Sequence, residues 1–166
     1  MFRGSLVALV TPMLADGTVD YDSLEKLVEY QKKNGTDGLI IMGTTGEAAT
    51  IPFAEQLQVL SFVLEINAGV MKIIAGNGSN STAEAVEKTK MLSELPIDGF
   101  LTVTPYYNKP TQAGMLAHFN AVANATDKPV LLYNVPGRTG VDLKAETVAE
   151  LAKVANIVGI KEATGS

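Results

Sequence analysis

The chain alternates short, largely apolar runs with longer stretches in which apolar residues return every three or four positions. The short runs are Leu6 to Val10, Leu39 to Met42, Lys72 to Ala75, Gly99 to Val103, Val130 to Tyr133 and Ile157 to Lys161. They are apolar throughout rather than alternating, which predicts strands buried on both faces, as in a parallel sheet covered by helices. Between them the spacing predicts five helices. The first runs from Ser23 to Lys33, with Leu24, Leu27 and Val28 on one face, Asp20 or Asp22 as its cap and Asn34-Gly35 as its stop. The second starts at Pro52 and reaches Ala68, with Leu57, Leu60, Val63 and Leu64 facing inward. The third is capped by Ser81 or Thr82 and reaches Leu95; the fourth covers Thr111 to Ala125 and the fifth Lys144 to Val154.

One helix between each pair of strands, at a repeat of roughly 30 residues, is a βαβ array and an α/β fold. An open doubly wound sheet and a (β/α)8 barrel both fit that order. No glycine-rich phosphate fingerprint follows the first strand, where a dinucleotide-binding fold places one. Polar and aromatic residues instead gather after the second, fourth, fifth and sixth strands, which a barrel brings to one face. The expectation is therefore an incomplete (β/α)8 barrel of about six parallel strands with outer helices, one domain over residues 1–166. A full barrel has eight strands and about 250 residues. The chain reads as C-terminally truncated relative to that fold, leaving the first and sixth strands as edges that need a partner, a swap or a rearranged closure.

Composition narrows the function classes. The chain has 166 residues, 46% hydrophobic and 19% charged, with a net charge of −5. Acids and bases are mixed, no basic patch stands out, and a nucleic-acid partner is not expected. No apolar run approaches the length of a membrane span, and the N-terminus lacks signal-peptide features. Cysteine is absent, which excludes disulfides and thiolate metal sites and fits a reducing cytoplasm. His118, the single histidine, cannot build a histidine-rich metal site; within the fourth helix it reads as structural or surface.

The candidate chemistry sits at strand ends. Lys161 closes the sixth apolar run and precedes small polar residues. A lysine desolvated at a strand end can lose its proton and attack a carbonyl carbon to form a Schiff base. Tyr133 ends the neighbouring strand, where a phenol could carry protons for that lysine. A snorkelling lysine and a core tyrosine account for either residue taken singly. Thr44 and Thr45 end the second strand and could hold a carboxylate or relay a proton, or simply cap the next helix. Tyr106-Tyr107 lies between Pro105 and Pro110; adjacent side chains diverge, so one faces a cleft and the other can face a partner chain. Arg138, in Pro136-Gly137-Arg138-Thr139-Gly140, offers a planar fork for a carboxylate. Glu47 and Glu162 read as supporting groups, and Asn77 to Asn80 as a loop feeding a helix cap.

Four segments in register, Gly43 to Glu47, Thr102 to Pro110, Leu132 to Gly140 and Gly159 to Ala163, closely resemble the dihydrodipicolinate synthases. These belong to the class I aldolase superfamily that includes N-acetylneuraminate lyase. The resemblance implies condensation of pyruvate with L-aspartate 4-semialdehyde, giving 4-hydroxy-tetrahydrodipicolinate on the way to diaminopimelate and lysine. It implies Lys161 as the Schiff-base residue and Tyr133 as proton donor and acceptor, with Thr44 and Tyr107 completing a relay. Tyr107 would reach the active site of a neighbouring subunit in a homo-oligomer, a dimer or tetramer. Thr45 would bind the pyruvate carboxylate and Arg138 a carboxylate of the second substrate. Neither metal nor organic cofactor is implied, because the lysine imine is itself the electron sink. The Thr44-Thr45 pair and Arg138 favour the synthase over the sialic acid lyases. The alternatives are another pyruvate-dependent aldolase, or an inactive barrel fragment that self-associates. Feedback-inhibited members bind lysine near the Asn80, Glu84 and Tyr106 positions with histidines where Phe53 and Gln56 stand here, so weak lysine inhibition is expected.

Overall fold

The computed structural model describes residues 2–165. They form two compact units: the chain up to Gly76 with Leu95–Asp98, and Asn77–Glu94 with the chain from Gly99.

The first unit contains β1 (Leu6–Ala8), α1 (Tyr21–Lys33), β2 (Gly38–Ile41), α2 (Phe53–Asn67) and β3 (Lys72–Gly76). Its strands are parallel and follow chain order, with Leu6 opposite Gly38 and Gly38 opposite Lys72. Asp20 is the cap of α1, its Oδ1 accepting from the Ser23 amide at 3.0 Å. β1 stops two residues short of its apolar run. Leu9 N still donates to the Ile40 carbonyl, but Val10 is exposed, and Met13 then bridges to Val19 across a turn at Gly17.

The buried face of α2 differs from the one its leucines suggest. Leu60 and Val63 are buried as expected from helical spacing, but so are Val59, Gln56 and Asn67, while Leu57 and Leu64 are half-buried. The two amides satisfy buried backbone that apolar side chains could not. Gln56 Nε2 donates to the carbonyls of Ala48 and Ile51 at 2.8 and 2.7 Å. Asn67 exchanges two bonds with the backbone of Met71. Leaving such groups unpaired costs more than burying a paired amide.

The second unit contains α3 (Thr82–Ser93), β4 (Gly99–Val103), α4 (Gln112–Ala123), β5 (Val130–Asn134), α5 (Pro136–Thr139), α6 (Ala145–Leu151) and β6 (Ile157–Glu162). β4, β5 and β6 are parallel and again in chain order. Phe100, Leu132, Met115, Phe119, Val122 and Leu151 are among its fully buried side chains. α5 is a single helical turn where the sequence predicts a loop. Pro136 supplies a preset φ at its start, and Gly140, at φ 73°, closes it. Asn77, read as a loop residue, is buried and fully engaged: its Nδ2 donates to Thr89 Oγ1, and its Oδ1 accepts from Thr102 Oγ1. Among the described residues, no helix is long and apolar enough to cross a membrane.

Candidate active site

Of the predicted site residues, the structure brings Tyr133 and Lys161 together. β5 and β6 pair them directly across the ladder, so both side chains leave the same face at the C-terminal ends of adjacent parallel strands. Lys161 Nζ lies 4.5 Å from the centroid of the Tyr133 ring. Tyr133 is buried and Lys161 half-buried, so the cation meets a ring whose other contacts are protein rather than water. A primary amine and a phenol thus share one spot, the two kinds of group that carbonyl chemistry with proton transfer uses.

The next ladder pair, Asn134 and Glu162, leaves the opposite face. Asn134 Nδ2 donates to Glu162 Oε2 at 3.0 Å and to Asp142 Oδ1 at 2.8 Å. The Asn134 side-chain bond, with the Thr164 amide on the other oxygen, holds the Glu162 carboxyl below the usual carboxylate range. Within the Leu132 to Gly140 segment nothing marks Asn134 for this role, because an asparagine amide reaching 28 residues along the chain leaves no local signature.

Thr44 and Thr45 lie in the first unit, in the turn after β2, and both are exposed. Their loop is bracketed by left-handed non-glycine residues, Met42 at φ 56° and Glu47 at φ 58°. Such conformations cost about 1–3 kcal/mol each and persist only where surrounding structure imposes them. Here Thr11 Oγ1 donates to the Gly46 carbonyl at 2.7 Å, and Gln56 holds Ala48. Gly76 completes the clamp: a Cβ there would fall inside the Met42 carbonyl. Gly76→Ala is therefore expected to destabilise the fold by about 2 kcal/mol, read as a lowered urea midpoint. An unchanged midpoint would show that the Met42 loop moves freely.

Tyr107 is 89% exposed at φ 71°, while Tyr106 is half-buried, so the adjacent pair diverges as predicted. Lys109, two residues on, is also left-handed at φ 49°. Arg138 is exposed on α5. Glu47 is exposed in the Thr44-Thr45 loop.

The dihydrodipicolinate synthetase family matches the sequence over residues 1–166. The chain belongs to that family. A 4-hydroxy-tetrahydrodipicolinate synthase of Shewanella piezotolerans is 59% identical over 165 residues, covering 99% of this chain and 56% of its own length. The crystal structure of the chloride-inhibited dihydrodipicolinate synthase from Acinetobacter baumannii, complexed with pyruvate, superposes with a TM-score of 0.98 at 53% identity. That match covers 100% of this chain and 57% of the other. The Aquifex aeolicus dihydrodipicolinate synthase gives a TM-score of 0.95 at 46% identity, covering 99% of this chain and 56% of that one. The chain spans a little over half the length of these dihydrodipicolinate synthetase relatives. Six parallel strands with intervening helices, matched at this level, make it an incomplete (β/α)8 barrel.

Proposed function

We propose that the chain acts as a 4-hydroxy-tetrahydrodipicolinate synthase, condensing pyruvate with L-aspartate 4-semialdehyde through a Schiff base on Lys161. The observation that carries this reading is Lys161 Nζ 4.5 Å from the Tyr133 ring, within a chain 59% identical to a synthase of that name. The Acinetobacter baumannii relative, which superposes over the whole chain, was solved with pyruvate.

The chemistry balances on these groups. Lys161, as the free amine, adds to the keto carbon of pyruvate, and the keto oxygen leaves as water. The resulting iminium withdraws electrons, so the pyruvate methyl loses a proton and becomes an enamine carbon. That carbon attacks the aldehyde carbon of the second substrate, whose oxygen takes up a proton. Attack of the substrate's own amine on the imine carbon then closes the ring and frees Lys161. Tyr133, with Thr44 and Tyr107, carries the protons; Thr45 binds the pyruvate carboxylate and Arg138 the second substrate. The working form is a cytoplasmic homo-oligomer in which Tyr107 serves a neighbouring subunit. Its 89% exposure on a left-handed backbone supports that role, since a strained, solvent-facing aromatic has no packing reason to persist. The fold does not by itself impose assembly, because one solved relative is a monomeric dihydrodipicolinate synthase variant.

Incubation with pyruvate and borohydride, followed by peptide mass spectrometry, is expected to show a reduced adduct on Lys161. A chain that stays unmodified beside a longer synthase that traps would sink the reading and leave a barrel chain without this chemistry.

A further inference from the structure

Five residues of β5, Val130–Asn134, lie against six of β6, Ile157–Glu162. Val130 pairs with Ile157 but Leu131 with Gly159, so Val158 is a bulge residue without a ladder partner, and it is 39% exposed. A ladder without the bulge pairs Tyr133 with Ile160 and Asn134 with Lys161. Strand side chains alternate faces, so that register turns Lys161 away from Tyr133 and toward the Asp142 carboxylate beside Asn134. The alternative offers the lysine an ion pair, so something must select the bulged register.

The start of β6 does not select it. Asn156 Nδ2 donates to the carbonyls of Ala123 and Thr126 at 2.9 and 2.8 Å, and the Asn156 carbonyl accepts from Val130 N at 2.8 Å. These bonds set Ile157 opposite Val130, which both registers share. The far end differs. Asn134, 1% exposed, is tied through its side chain to Glu162 and Asp142, its Oδ1 accepts from Leu143 N at 3.0 Å, and its carbonyl accepts from Ala163 N at 2.9 Å. Sliding to the unbulged register carries Glu162 past Asn134 and breaks the bond between them. Asp142 is itself fixed, because Gln112 Nε2 donates to its carbonyl at 2.8 Å.

We propose that Asn134, acting through Glu162, is the positioning residue that selects the bulged register and so keeps Lys161 on the face of Tyr133. Its meaning for catalysis rests on the proposed Schiff-base chemistry; the register itself does not.

The test uses the full chain with N134D, E162L, deletion of Val158, and N134D combined with that deletion. N134D removes the donor and adds a third carboxylate on the wrong face. Deleting Val158 makes the straight ladder pair Lys161 with Tyr133 again, so it removes the competing register. Competitive acetylation by acetic anhydride reads the reactivity of Lys161 relative to Lys153, and borohydride trapping reads its reaction with pyruvate. N134D and E162L are expected to slow trapping by about tenfold and to change the Lys161 to Lys153 ratio by about threefold or more. The Val158 deletion in the N134D chain is expected to restore both to within about twofold of the parent. N67A, which removes another buried amide from the first unit, is expected to change neither. Glu162 is exposed, so E162L carries the test should N134D fail to fold. Parental values in E162L, or a folded N134D chain that the deletion does not rescue, overturn the proposal. A parent that never traps pyruvate, but whose labelling ratio shifts in N134D and returns on deletion, sinks the catalytic reading and supports the register lock.

Discussion

Replacing Lys161 with arginine is expected to leave no pyruvate adduct anywhere in the chain. A guanidinium stays protonated up to about pH 12 or beyond and has no lone pair to offer a carbonyl carbon. The change keeps the positive charge, so loss of the adduct reports loss of the nucleophile rather than of the charge. Other lysines do not substitute. Lys153, for example, is exposed and ion-paired with Glu150 at 2.7 Å, which holds its amine protonated in water. Tyr133→Phe separates the two parts of the site. It keeps the ring under the ammonium, and with it the 4.5 Å contact, but removes the hydroxyl. Trapping is expected to slow by about 100-fold, the ordinary scale of a lost general acid or base, while Lys161 acetylation relative to Lys153 stays at the parental value. The measurements are the rate of borohydride-trapped adduct and its position by peptide mass spectrometry. Adduct on K161R at the parental yield would remove Lys161 from the chemistry, and a parental rate in Y133F would remove the phenol.

The order of strands and helices was legible because each strand is a short apolar run and α1 and α3 carry caps of their own. Asp20 and Ser81 both cap as their sequence positions suggest. β4 occupies the same residues that its apolar run marks. Lys161 and Tyr133 were legible as strand-end residues able to carry amine and proton chemistry, and the family resemblance implied the same roles for them. What stayed hidden has two physical causes. The first is that side-chain polarity is a poor guide where an amide satisfies buried backbone, as Gln56 and Asn67 do on the inner face of α2. The second is that a bulge inside a uniformly apolar run changes no pattern. Val158 is as apolar as Ile157 and Ile160, and Gly159 beside it is the single hint in the run that one residue is extra. Yet that residue decides which face Lys161 takes. The register was therefore the least readable feature of the site, and the side chain that completes it, Asn134, sat inside a motif recognised for other reasons.

The histidine was legible only as structural or surface, and its burial carries the second large expectation: the fold should lose stability between pH 6.5 and 4. His118 is 2% exposed on α4, edge-on to Phe119 at 5.4 Å between ring centroids. Its Nδ1 is hydrogen-bonded to Thr82 Oγ1 at 2.9 Å, while Nε2 has no partner among the described residues. Burial penalises the charged imidazolium and lowers the pKa from 6.5 to about 4. As pH falls below 6.5, the unfolded chain takes up a proton that the native chain refuses until about pH 4. The native state is therefore disfavoured progressively across that window and no further below it. The gap of about 2.5 pH units corresponds to about 3 kcal/mol at its fullest. Glu84 and Glu162, held low by hydrogen bonds from Lys88 and Asn134, lose their contributions as pH falls from the ordinary value of 4.5 through their depressed native values, at and below the foot of that window. His118→Leu isolates the imidazole. Near neutral pH the variant is expected to match the parent within about 1 kcal/mol, because it gives up the Thr82 bond but no longer buries an unpaired nitrogen. At pH 4 it is expected to be more stable than the parent by about 3 kcal/mol. Urea unfolding of both chains across pH 4 to 7.5 makes the comparison. Parallel curves would mean that the native histidine takes up its proton as readily as the unfolded one, and the burial argument would fail.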